Sequence, residues 1–142
     1  DVSPRRHGEI VITVFIAGIP QSQGSTRAFV VNGKAVTTSA NPKNKSWRES
    51  VAAGLREASS SLLEIPITVE LEFVMPRTKS QPKTKEIPHT KKPDLDKLIR
   101  SVLDAGTGVV WPDDSCVTRI RASKRYASIG AQSGVYISAW TH

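Results

Sequence analysis

Asp94 and Asp96 stand two residues apart just after Pro93, and Asp113 and Asp114 stand side by side after Pro112. Two carboxylates at a helix start plus one from an adjoining loop would make an all-oxygen site, which suits magnesium, a hard cation that takes few protein carboxylates and keeps several waters. Such a site serves phosphodiester hydrolysis, because a bound ion activates water, orients the phosphate and neutralises charge on the leaving oxygen. The single cysteine, Cys116, excludes a thiolate zinc site, and His7, His89 and His142 lack ligand spacing. Each acid also has a plainer reading. Asp94 fits a helix N-cap, Asp96 a first-turn acid that favours the helix dipole, and Asp113 and Asp114 fit turn formers. Asp104 follows Arg100 by four residues and is expected to pair with it along a helix.

The charge around these acids favours the chemical reading. The 142 residues carry 20 Lys and Arg against 13 Asp and Glu, a net charge of +7 that attracts polyanions. Residues 76–93 bring together Arg77, Lys79, Lys83, Lys85, Lys91 and Lys92 against the single acid Glu86. Loops this long are uncommon in compact domains unless functional or disordered. A basic one suits contact with phosphates, a mobile solvated loop without a partner being the alternative. No stretch has the apolar run of a signal peptide or a membrane span, and no helix gathers Lys and Arg opposite a broad apolar face. With one cysteine and no membrane segment, the expected setting is a reducing one, inside the cell.

The elements that must position the acids are legible from periodicity. Residues 10–16 are dense in β-branched side chains and read as a strand that ends at Gly18 and Pro20. Asn32-Gly33 between β-favouring arms predicts a hairpin with a type I′ turn. Trp47, Val51, Leu55 and Ala58 recur at helical spacing over residues 45–60, leaving Arg48, Glu49, Arg56 and Glu57 for the exposed side. Ile67, Val69, Leu71, Phe73 and Met75 alternate with Thr68, Glu70 and Glu72, the pattern of a strand with one wet face. After the basic loop, Leu95, Leu98, Ile99, Val102 and Leu103 mark a second helix that ends at Gly106, with Asp94 where a capping carboxylate is expected. Asp113 and Asp114 are expected to fold back toward the start of that helix. Residues 117–126 and 135–140 add two more strands. The sum is one α+β domain over residues 1–142, a small mixed sheet with two main helices, and residues 1–8 as a flexible N-terminal extension.

The stretch His89-Thr90-Lys91-Lys92-Pro93-Asp94-Leu95-Asp96-Lys97, continued by Arg100 and Asp104-Ala105 and then by Trp111-Pro112-Asp113-Asp114, resembles the signature of RusA-like endodeoxyribonucleases. That signature runs KPDxDN, then LxKxxxDAL, then a DDxxV loop. The likeness extends to Lys124-Arg125-Tyr126, and more weakly to residues 20–27 and Trp47-Arg48. It implies a RusA-like fold and magnesium-dependent cleavage of four-way DNA junctions by a symmetric homodimer, with other branched DNA as a further substrate and manganese as a substitute ion. The setting it implies is the cytoplasm of a bacterial or phage-infected cell. The essential carboxylates, which would also be the metal ligands, fall on Asp94, Asp96 and Asp114. Two positions depart from the pattern: Lys97 stands where Asn is usual, and Arg100 where an essential Lys is usual. Arginine keeps the charge and clamps phosphate with two nitrogens but does not release its proton. Lys97, three residues earlier on a neighbouring part of the same face, is a candidate to share that role. Arg77, Lys79, Lys91, Lys92, Lys124 and Arg125 are expected to grip the DNA backbone. A non-catalytic nucleic-acid-binding module on the same scaffold is the alternative. The aspartates speak against it, since carboxylates beside phosphates repel DNA unless a cation lies between them.

Overall fold

The computed structural model describes residues 11–24, 26–39 and 41–141. The expected extension over residues 1–8, His7 within it, and His142 lie outside the described residues. The chain runs β1 (Val11–Ala17), β2 (Thr26–Val31), β3 (Lys34–Ser39), α1 (Asn44–Ala58), β4 (Ile67–Met75), α2 (Leu95–Gly106), a 3-10 turn (Asp114–Cys116), β5 (Val117–Tyr126) and β6 (Gly134–Thr141). The described strands form a four-stranded sheet in the order β1-β6-β4-β5 and a separate β2-β3 hairpin. β6 is antiparallel to β1 and β4, whereas β4 and β5 are parallel, so the fold is the α+β arrangement with a mixed sheet that the sequence implies. At the hairpin, Asn32 and Gly33 both take positive φ, 51° and 76°, as a type I′ turn requires.

β4 differs from the expected half-wet strand. It lies between β6 and β5, and Thr68 and Val74 are buried on the face that the alternation reserves for polar groups. Glu70 and Glu72 are only half-buried there, and Glu72 accepts from Arg125 at 3.2 Å. Alternation identifies the two faces of a strand but not its place in the sheet.

α1 packs against β1 at Gly54, where an added Cβ would stand 2.8 Å from Ile16 Cγ1. Trp47, Val51 and Leu55 form its buried stripe, but Ala58 at the helix end is exposed. Asn44 takes the fourth inward place instead. Its Nδ2 donates to Ser22 O at 3.0 Å and to Ser101 Oγ at 2.7 Å, which joins α1, α2 and the loop after β1 through one buried amide. On α2, Leu98 and Val102 are fully buried, each worth about 1.5–3 kcal/mol of apolar burial, while Leu95, Ile99 and Leu103 pack partly against the core.

Candidate active site

Asp94 occupies the N-cap position of α2 with extended backbone, yet its carboxylate caps no amide. Asp94 Oδ2 instead accepts from Lys97 Nζ at 3.1 Å, and this ammonium one turn on holds the Asp94 carboxyl below its usual range. A charged donor outcompetes a neutral backbone N–H for an exposed carboxylate. Asp96 is exposed in the same first turn. The approach to the helix is pinned from two sides: Gln23 N donates to Lys97 O at 3.1 Å, and Lys124 Nζ donates to Lys91 O at 2.7 Å and Pro93 O at 2.9 Å. Lys124, expected at the DNA backbone, therefore holds the segment that leads into Asp94.

At the other end of α2, Asp113 and Asp114 divide their work. Asp113 Oδ2 accepts from Ser115 Oγ at 2.6 Å and Ser115 N at 3.0 Å, so it is the turn former, and these bonds lower its pKa. Asp114 Oδ1 accepts from Thr107 Oγ1 at 2.5 Å, beside the last turn of α2. Asp104 is its neighbour there. Burial first, and the charge of Asp114 second, push the Asp104 carboxyl above its usual range, against the pull of Arg100 and Arg48. The expected Arg100 partnership is thus subordinate, and among the described residues no ion pair within 4 Å joins the two. Arg48, assigned to the exposed side of α1 by its spacing, is half-buried with its Nε out of solvent and acts on Asp104. The one sequence signal for it is the weaker Trp47-Arg48 likeness.

The acids therefore do not converge on one point. Eleven residues separate Asp96 from Thr107, which at about 1.5 Å per residue places them roughly 16 Å apart along the helix axis. Asp114 does not fold back to Asp94 and Asp96, because the connection is short and fastened. The amides of Val109, Val110 and Trp111 all bond to Gly106 O, and the Trp111 ring lies against Gly106. Among the described residues no group of three or more His, Cys, Asp or Glu side chains is placed to hold an ion. What α2 offers is a ridge. Asp96, Arg100 and Asp104 succeed one another at four-residue intervals, an acid, a cation and an acid on one side of the helix, with Asp114 beside the last.

A family model described as endodeoxyribonuclease RusA matches residues 19–138, a span that contains the whole ridge and both of its flanking loops. The chain belongs to the RusA endodeoxyribonuclease family. A further relative is an uncharacterized protein of Bacillus subtilis (strain 168), YqaN, 28% identical over 128 residues that cover 83% of this chain and 88% of that protein. Among the described residues of this RusA-family chain, no helix is long and apolar enough to cross a membrane.

The other cations expected at DNA fall into two sets in this RusA-family fold. Lys79, Lys91 and Lys92 are exposed. Arg77 donates to Pro82 O at 2.7 Å and Ala127 O at 3.4 Å, and Arg125 is paired with Glu72, so both brace the basic loop and the sheet edge.

The crowding of Asp104 and Asp114 has a measurable consequence. A carboxyl whose folded pKa is raised destabilises the native state once pH rises through that value, because the unfolded chain has already ionised. Asp104→Asn removes the repulsion, so its melting temperature in chelator should exceed the parent's by a few degrees at pH 7. That advantage should vanish as pH falls below the ordinary carboxyl value of 3.8. A lower melting temperature at neutral pH would show instead that Asp104 is held as a favourable partner of Arg100 and Arg48.

Proposed function

We propose that the protein is a magnesium-dependent, structure-selective endonuclease that resolves four-way DNA junctions by paired phosphodiester hydrolysis, with manganese as a substitute ion. The observation that carries this reading is the acid–cation–acid ridge of α2 set among exposed lysines in a RusA-family chain. The donor set fits magnesium, since it offers only oxygen, and the Asp104–Asp114 repulsion is of the kind a cation relieves. Asp94 with Asp96, and Asp104 with Asp114, are the pairs that would hold it, in place of the single trio of Asp94, Asp96 and Asp114. One or two protein carboxylates suffice for this ion, with water and substrate phosphate as the remaining ligands. When bound, it supplies activated water and neutralises charge on the leaving oxygen.

The chain's own groups do the rest. Arg100, between the two pairs, grips phosphate oxygens with its planar fork but does not donate its proton. Lys97 is free to exchange Asp94 for a phosphate, because exposed ion pairs are weak. Two nicks on a twofold substrate match a twofold dimer, which presents two equivalent ridges.

Labelled four-way, three-way and linear DNA, incubated with magnesium or with chelator, test the reading. Symmetric nicks in the four-way junction are expected with magnesium alone. Binding to junctions without cutting under any condition would make the chain a binding module. Lys91→Ala with Lys92→Ala should weaken binding to every DNA shape and reduce the salt slope by about 2, near 0.9 per lost phosphate contact. An unchanged slope would remove both lysines from the interface.

A further inference from the structure

A cavity of about 640 Å³ opens beside the N-terminal end of α2, with Asp94 and Lys97 on its wall. Its volume lies within the roughly 300–1,000 Å³ typical of small-ligand pockets. Besides α2, four segments build it: Pro20, Gln21 and Ser22 after β1, Met75 at the end of β4, His89 and residues 91–93 in the basic loop, and Tyr126 at the end of β5. Each segment is fastened. Asn41 Nδ2 donates to Gln21 Oε1 at 3.3 Å and to Ser22 O at 3.0 Å, and Lys124 holds the carbonyls of Lys91 and Pro93. The walls therefore stand ready before any ligand arrives.

Their chemistry is divided. Lys91 and Lys92 are exposed cations on the rim, while Met75 and Pro20 are buried and the His89 and Tyr126 rings meet with centroids 4.6 Å apart. His89 is not placed there by a hydrogen bond at Nδ1, because that nitrogen is buried with no partner, a costly state for a residue whose purpose were structural. Burial first, and the Lys124 charge second, keep its imidazole neutral over a wider pH range, which suits a flat ring surface rather than a phosphate clamp. A positively charged rim around an aromatic wall is the arrangement that takes a nucleotide, with phosphate on the lysines and base against the rings.

We infer that this cavity receives one unstacked nucleobase of the branched DNA, next to the phosphate presented to α2, and that His89 with Tyr126 forms its stacking wall. The inference rests on the nuclease reading and deepens it, since a base seated here would set which phosphate lies at Asp94 and Asp96. At the crossover of a junction the bases are the least well stacked, so extruding one is least costly there.

Junctions carrying a single abasic nucleotide, moved one position at a time through the crossover, test this in chelator, where affinity is read without cleavage. The parent should bind one abasic junction roughly tenfold more weakly than the intact one, the loss expected of one base–aromatic contact. His89→Ala should bind the intact junction with that same loss and be indifferent to the abasic position. His89→Phe, which restores a ring, should recover the affinity and the sensitivity to the missing base. If the parent binds every abasic junction as tightly as the intact one, the cavity holds no base, and the inference falls while junction binding stands. If no junction binds better than linear DNA, the proposed function falls and the inference with it.

Discussion

Under the proposed function, Asp96→Asn is expected to lower the rate of junction cleavage by roughly 10²–10³-fold, while junction affinity measured in chelator should stay equal or tighten. The substitution is nearly isosteric and Asp96 is exposed in the first turn of α2, so the fold does not depend on its charge. If Asp96 holds magnesium as proposed, removing the carboxylate takes away a strong oxygen ligand and with it the means to generate the nucleophile. A loss of about 3–4 kcal/mol of transition-state stabilisation is what such electrostatic groups commonly supply. Binding moves the other way, because one fewer negative charge stands beside phosphate. Asp94→Asn should show the same split with little cost to the fold, since its carboxylate caps no amide and holds only the exposed Lys97. Single-turnover cleavage beside equilibrium binding separates the two quantities. Full activity in Asp94, Asp96 and Asp114 variants alike would place the chemistry elsewhere in the molecule.

Trp111→Ala should cost about 3–5 kcal/mol of stability, a large share of the roughly 5–15 kcal/mol that holds a domain of this kind together. Trp111 is fully buried, and its Nε1 donates to Leu103 O at 3.0 Å, so truncation leaves a void and strips one donor from a carbonyl that keeps only Thr107. A fall in melting temperature of roughly 10–20 °C follows. Gly106 offers a complementary reading of the same contact. Alanine is about 1 kcal/mol better than glycine inside a helix, yet a Cβ at Gly106 would stand 2.2 Å from Trp111 Cζ2, so Gly106→Ala should destabilise against propensity. Because this clasp sets where Asp114 lies, both variants should lose cleavage at temperatures where they remain folded. Thermal melts within two or three degrees (about 1 kcal/mol) of the parent would show that the loop is positioned without the ring.

Much of the molecule is legible without coordinates because its signals are local. The Asn32-Gly33 turn, the order of the elements and the inward faces of α1 and α2 follow from turn chemistry and from periods of 2 and 3.6 residues, each expressed within one segment. The motif around Asp94, Asp96 and Asp113-Asp114 identifies the family for the same reason, being contiguous in the chain. What adjacency does not encode is which distant groups meet. Spacing suggests that Asp114 returns to the start of α2, whereas the docking of Trp111 on Gly106 leaves it at the far end beside Thr107 and Asp104. Asp94 has the position of a capping residue, but an ammonium within reach decides where its carboxylate turns. Arg48 and Lys124 look like surface charges until the packing of α1 beside α2 and of β5 beside the basic loop gives each an inward task. His89 and Tyr126, separated by all of α2 and the length of β5, become neighbours only because β5 runs parallel to β4 and ends beside the loop that leaves it. Hydrophobic period and turn residues thus determined the elements and their order, while side-chain packing between segments remote in the chain decided the partners of Asp104, Asp114, Arg48 and Lys124.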